Sequence, residues 1–264
     1  MSKKVKVGLA LGSGAAKGLA HLGVLKVLLR ENIPIHLVTG SSIGSLIGAL
    51  FAAGADINML EKISCSLHQK QLVDVVVPRL GLIKGDKIET LVRLLTKNMT
   101  FQDLAIPLYV VAVDIERGEL VVLEEGSVAE AVRASISMPG VFQPKRLNGR
   151  VFVDGAVLNR VPADVARQKG AQIVIGVDLK EDPRTRKPKP VENIFDVILT
   201  SIDLLESNSS INYRALCDVR ITPKVENIGL ADFNKAEECI ALGEEAAELA
   251  LPEIKRVLEL HQYS

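Results

Sequence analysis

The sequence predicts an α/β fold with a mostly parallel central sheet and helices on both faces. Short runs rich in Val, Ile and Leu, such as "KVKVGLALG", "IHLVTG" and "QIVIGVDL", alternate with longer segments of helical periodicity. Small residues and glycines cluster where several of these runs end, as in "LGSGAAKG" and "TGSSIG". A length of 264 residues with 48% hydrophobic content supports a sizeable core, and neither an internal repeat nor a linker-like stretch divides it.

The elements follow in order. Val5 to Leu11 alternates and reads as a strand. In "AAKGLAHLGVLKVLLREN", Leu19, Leu22, Val24, Leu25, Leu28 and Leu29 fall at helical spacing, and Asn32 with Pro34 ends the helix. "IHLVTG" is a strand and "IGSLIGALFAAG" a buried helix; "INMLEKISCSL" and "KGDKIETLVRLLTK" are further helices. "PLYVVAVDIERGELVVLEEG" gives two strands joined by a turn at Glu116–Gly118. "SVAEAVRASISM" is a helix capped by Ser127, with Glu130 three residues on. "GRVFVDGAV" is strand, "VPADVARQKGA" helix and "QIVIGVDL" strand. After the Pro- and Lys/Arg-rich "KEDPRTRKPKP" come a long helix, "ENIFDVILTSIDLLESNS", a last strand in "CDVRITPKV", and a C-terminal helix bent at Pro252.

Composition narrows the function. Lys plus Arg and Asp plus Glu number 32 each, so no basic field argues for nucleic acid as partner. Trp is absent and aromatics are 3%, which disfavours stacking platforms. Cys65, Cys217 and Cys239 have neither disulfide nor metal spacing and read as buried small apolar residues in a reducing cytoplasm. The N-terminus turns from basic to apolar, but Lys6 and the glycine cluster fit a first strand better than a signal peptide. Ile43 to Ala55, the most apolar stretch, is shorter than the roughly 20 residues a bilayer span needs.

Ligands of open parallel sheets bind at the carboxyl ends of strands, and three segments have that address. In the first, "LGSGAAKGLAHLGVL", Gly12, Gly14 and Gly18 permit close backbone approach. A dinucleotide fingerprint fails because Lys17 occupies the third small position, and a Walker A loop fails because Lys17 precedes Gly18. An oxyanion hole and a plain strand-helix turn both remain. The second is Gly40-Ser41-Ser42-Ile43-Gly44, a G-x-S-x-G match in which Ser42 is either an exposed nucleophile or one more small turn residue. Ile43, next in line, has an N–H that an oxyanion could use. The third is "VFVDGAV", where Asp154 ends an apolar strand before Gly155 and Ala156. It is either a functional acid or an Asp-Gly turn.

A nucleophilic serine needs a base. His21 and His36 belong to a helix and a strand, His68 to a polar helix, and His261 to a terminal helix. None stands in a glycine-rich loop, so the sequence favours a Ser42–Asp154 dyad with the carboxylate as direct base. An aspartate is a weak base at neutral pH, so close placement and well-aimed oxyanion donors would carry much of the catalysis.

Taken together, "LALGSGAAKGLAHLGVLKVL", "GSSIGSLIGAL", "RASISMPGVFQP" and "VFVDGAVLNRVPADVARQKGAQIVIGVDL" resemble the bacterial patatin-like phospholipases, in the branch related to the catalytic domain of neuropathy target esterase. The resemblance implies a three-layer patatin-like fold in a single domain over 1–264, with a motif core at about 5–180 that 181–264 completes. It implies Ser42 as nucleophile and Asp154 as general base, and an oxyanion hole at Ser13, Gly14 and Ala15, with Lys17 the basic residue of that block. Gly12, Gly18, Gly40, Ile43, Gly44, Gly155 and Ala156 support the motifs. The chain departs from the family pattern at Ser13 and Ala15, where glycine is usual, and at Ile43, where Ala or Gly is usual. Alanine at a positive φ would cost stability, and Ile43 would narrow the acyl pocket.

The expectation is a serine lipid acyl hydrolase that cleaves carboxylic esters of phospholipids or lysophospholipids through an acyl-enzyme, with no metal and no cofactor. The alternatives are an acyl transferase or thioesterase using the same serine, and a regulatory protein with little turnover. A cytoplasmic enzyme is expected, with peripheral contact to the inner face of the membrane as a further option. The basic stretch at 184–189 reads as an exposed loop, with contact to anionic headgroups as its alternative.

Overall fold

Along β1 (Val7–Leu11), Val7, Leu9 and Leu11 enter one apolar cluster and Ala10 another, because successive strand side chains point to opposite faces. β7 (Ile173–Val177) divides in the same way, with Val174 on the Ala10 side. These strands lie in the middle of the sheet of a computed structural model that describes residues 5–66, 83–180, 197–198, 200–201 and 213–262.

Among the described residues the sheet has eight strands, adding β2 (Leu37–Ser41), β3 (Leu108–Asp114), β4 (Glu119–Leu123), β5 (Lys145–Leu147), β6 (Arg150–Asp154) and β8 (Val219–Ile221). The order is β5-β6-β3-β2-β1-β7-β8, and β4 also pairs with β3. From β3 to β8 every pairing is parallel, whereas β4, β5 and β6 pair antiparallel. The expected mostly parallel sheet is therefore present, with an antiparallel end that positions the site.

The larger cluster lies under α1 (Ala20–Arg30), α2 (Ile43–Ala52), α3 (Ile57–Ser66), α4 (Asp86–Leu95), α5 (Val128–Ser135) and α8 (Ala236–Gln262). α1 and α8 cross at Gly23 and Gly243. A Cβ at Gly23 would strike the Ile240 carbonyl oxygen, and one at Gly243 the Ala20 carbonyl oxygen. On the other face, α6 (Ala163–Gln168) meets β1, β2 and β7 through Ala163 and Ala166, and α7 (Tyr213–Leu216) packs beside it. Its core is built mainly from small residues, so this layer is thin.

Several expectations need correction. The helix predicted from the glycine-rich segment starts as a 3-10 turn at Ala15–Leu19, and α helix begins only at Ala20. Ala15 enters this turn at φ 49, which is incompatible with a regular helical start. β5 is polar and short, so its sequence gave no strand signal. α8 continues through Pro252, an exposed residue where the Glu248 carbonyl that loses its partner can be met by water. Cys65 is exposed rather than buried, and Cys217 is only half-buried; Cys239 is buried as expected. Ser127 caps α5 by accepting the Glu130 N–H at 3.4 Å. Residues 181–190 of the basic segment, and most of the long helix expected after it, lie outside the described residues. Among the described residues no helix is long and apolar enough to cross a membrane.

Candidate active site

The site forms where two strands meet end to end on one edge of β3. β2 runs parallel to β3 and pairs Ser41 with Val111. β6 runs the opposite way and pairs Asp154 with Ala112. β4 covers residues 110–114 of β3 on the other edge, so β2 and β6 share this one. Their carboxyl ends thus arrive at adjacent positions, one carrying Ser42 and the other Asp154. Antiparallel β6 brings Asp154 in from the opposite side of the seam, which strand-end reasoning for a parallel sheet does not anticipate.

Ser42 leaves β2 in a sharp turn, with φ 54 and ψ −126, and α2 starts at the next residue. A non-glycine residue here carries backbone strain, of order 1–3 kcal/mol, and persists only where its surroundings enforce it. The Ser42 carbonyl accepts from the Ser45 and Leu46 N–H groups at 2.9 and 3.3 Å and from Ser45 Oγ at 2.6 Å. Its N–H donates to Ser135 Oγ at 2.9 Å. Gly44 lets the helix start against β1, since a methyl there would collide with the Leu11 and Gly12 carbonyl oxygens.

Ser42 Oγ donates to Asp154 Oδ2 at 2.6 Å, with both residues buried. Asp154 Oδ1 accepts the Ala156 N–H at 2.9 Å, and the Asp154 N–H donates to the Ser137 carbonyl at 3.0 Å. Gly155 fits flat against the Val111 carbonyl, which closes the turn under the carboxylate. One carboxylate thus makes the Asp-Gly turn and holds the Ser42 hydroxyl.

The glycine-rich loop joins the elbow through Ile43. That side chain packs on Gly18, where an added Cβ would overlap it, so Ile43 is directed at the 3-10 turn. Ile43 thereby joins the elbow to the loop and stays partly exposed. The Gly12 N–H donates to Val177 O and the Ser13 N–H to Arg160 O, both at 3.0 Å. Among the described residues the N–H groups of Gly14 and Ala15 have no intramolecular acceptor. Ile43, first in α2, likewise has no intrahelical acceptor for its N–H. Ser13 thus differs from its two neighbours: its backbone donor is already engaged. Lys17 is buried, and its carbonyl accepts from Cys239 Sγ at 3.1 Å.

His21 is buried beneath this loop and its Nε2 contacts the Gly12 carbonyl at 2.7 Å. Burial lowers its pKa to about 4, so the ring is neutral and Nε2 carries the donated proton. Sequence reasoning placed His21 in a helix and missed its contact with the loop nine residues back. His36 Nδ1 accepts the Val7 N–H, and His261 Nδ1 lies 2.9 Å from the Val257 carbonyl. Ser41 and Ser45, the neighbouring hydroxyls, have other fates: Ser45 bonds the Ser42 carbonyl, and Ser41 Oγ is buried with no partner among the described residues. Ser135 and Ser137 were missed as well. Their only sequence signal is their place in "RASISMPGVFQP". Among the described residues no cluster of three or more His, Cys, Asp or Glu side chains could hold a metal ion.

The sequence pattern of the patatin-like phospholipase family matches residues 9–167, which include the loop, the elbow and Asp154. The chain belongs to the patatin-like phospholipase family. It is 34% identical over 181 residues to an uncharacterized NTE family protein of Mycobacterium tuberculosis, covering 67% of this chain and 50% of that protein. It is 32% identical over 187 residues to human patatin-like phospholipase domain-containing protein 6, covering 68% of this chain and 14% of the relative. The chain thus spans half or less of these relatives' length. VipD from Legionella pneumophila superposes with a TM-score of 0.56 at 14% identity, over 95% of this chain and 67% of VipD. At that identity the likeness shows the patatin fold alone.

Proposed function

We propose that this patatin-like protein is a serine acyl hydrolase of lipid esters, working through Ser42 and Asp154 as a single catalytic unit over the whole chain. The observation that carries the reading is the 2.6 Å hydrogen bond from Ser42 Oγ to Asp154 Oδ2, made by a serine held at positive φ. Asp154 takes the Oγ proton as Oγ attacks the ester carbonyl. The carbonyl π pair moves onto oxygen, and the oxyanion is met by the N–H groups of Gly14 and Ala15, with that of Ile43 beside the serine. Collapse expels the alcohol, which leaves with the proton held by Asp154. Water then attacks the acyl-enzyme with Asp154 again as base, releasing the fatty acid and restoring Ser42. Ser13 belongs to the loop's scaffold in this scheme, because its N–H is bound to Arg160 O.

A phospholipid or lysophospholipid is the substrate class proposed, in keeping with the family. The test is fluorophosphonate labelling with hydrolysis of lysophospholipid, p-nitrophenyl butyrate and acyl-CoA, each against Ser42→Ala. Labelling and lysophospholipid turnover that both vanish in the variant are expected. Equal labelling of both proteins would overturn the assignment, and acyl-CoA as the preferred substrate would turn it toward a thioesterase.

A further inference from the structure

The seam between β2 and β6 leaves two backbone groups without a strand partner. β2 departs from β3 after Ser41, so the Ser42 N–H has no direct rung to β3. The Val111 carbonyl lies where β2 stops and β6 has not yet begun. The Ser135 hydroxyl, fully buried at the end of α5, serves both. It accepts the Ser42 N–H at 2.9 Å and donates to Val111 O at 2.6 Å. A ladder rung has become N–H···O–H···O=C, one oxygen longer. The added reach lets the chain peel away from β3 and enter its φ 54 turn while the peptide before Ser42 stays tied to the sheet.

We infer that Ser135 is a positioning residue for the nucleophile: its hydroxyl fixes the strained elbow so that Ser42 Oγ stays aimed at Asp154. The Ser42 carbonyl side has three donors from α2, while the N–H side has this one acceptor. Without it, the Ser42 N–H loses this acceptor and the elbow is held through the Ser42 carbonyl and hydroxyl alone. The same helix end reaches the other half of the pair, because the Ser137 carbonyl accepts the Asp154 N–H at 3.0 Å. Ser137 is held in turn by Arg133, whose Nη1 donates to Ser137 Oγ at 2.6 Å. Serine and carboxylate are thus tied to the last residue of α5 and to the turn just after it, two residues apart. The inference rests on Ser42 being the nucleophile.

Ser135→Ala and Ser135→Thr, with Ser42→Ala beside them, test it in the full chain with p-nitrophenyl butyrate. Turnover is expressed per site titrated to completion with fluorophosphonate, so that unfolded protein does not count. Ser135→Ala is expected to lower kcat by about 10- to 100-fold with KM within about twofold, the pattern of a misaimed but intact group. Ser135→Thr, which restores the hydroxyl, is expected to recover kcat to within about threefold of wild type. If the alanine protein does not fold, Ser135→Cys, which keeps the volume and weakens both bonds, is read by the same criterion. A kcat per site unchanged in the hydroxyl-less variant, or a threonine protein as slow as it, would overturn the inference. Full activity in Ser42→Ala would instead remove the serine reading itself, so the two failures are separable.

Discussion

The elbow and the glycine-rich loop both contain a non-glycine residue at positive φ, Ser42 at 54° and Ala15 at 49°, yet they are held in opposite ways. At the elbow Ser42 is tied at each of its polar atoms: its carbonyl to α2, its N–H to Ser135 and its hydroxyl to Asp154. The loop is tied at its edges, by Gly12, Ser13 and Ala16, and leaves the Gly14 and Ala15 donors without acceptors among the described residues. In the proposed mechanism the nucleophile must be aimed before substrate arrives, so over-determination suits it. Oxyanion donors must stay unpaired until charge develops, so rigidity has to come from neighbours. His21 is one such neighbour, holding the Gly12 carbonyl from below.

The sharpest way to break the contrast is at the elbow's one chemical tie. Asp154→Asn keeps shape and removes the proposed base. We expect kcat/KM on p-nitrophenyl butyrate to fall by about a thousandfold or more with the circular dichroism spectrum unchanged. Retained activity would mean that another group takes the proton. Next comes the elbow's steric floor. Gly44→Ala drives a methyl into the Leu11 carbonyl, so a loss of about 2–3 kcal/mol in urea unfolding is expected, together with weaker fluorophosphonate labelling. An unaltered midpoint would show that α2 can shift without cost.

The loop side answers to pH. His21 has a folded pKa of about 4 against an ordinary 6.5, so the unfolded chain takes up a proton that the folded one refuses. Stability is therefore complete above pH 6.5 and declines as pH falls toward 4, at up to roughly 1.4 kcal/mol per pH unit. Urea midpoints measured over that window should fall, and His21→Gln should flatten the decline. Identical slopes in both proteins would assign the acid sensitivity elsewhere. The smallest effect is at Ala15. Ala15→Gly relieves the left-handed strain and should raise stability by about 0.5–1 kcal/mol, with kcat within about twofold. A lower midpoint would mean that Ala15 packs better than its φ suggests.

Much of this architecture is legible in the sequence because it is local. Alternating Val and Leu in "KVKVGLALG" gives β1, the Leu spacing in "AHLGVLKVLL" gives α1, and the Ser127–Glu130 spacing gives the cap of α5. Ser42 and Asp154 stand out because glycines and small residues beside a strand end are a local requirement of a sharp turn. β5 was missed because "KRL" has no apolar alternation and is a strand only through its pairing with β6. The contact of Ile43 with Gly18 was not legible because the two are 25 positions apart and neither marks the other in the linear order.

The sequence by itself determined the α/β class, the order of the motifs and the residues that could carry the chemistry, since each depends on periodicity or on turn sterics within a few residues. Tertiary structure decided what those residues face. Ser42 meets Asp154 across 112 positions because β2 and β6 run into one another on β3. Ser13 differs from Gly14 and Ala15 because Arg160 lies beside it, and Ser135 reaches the elbow from the end of α5. Such pairings depend on strand direction and register, which are fixed when the sheet assembles and by no stretch of chain alone.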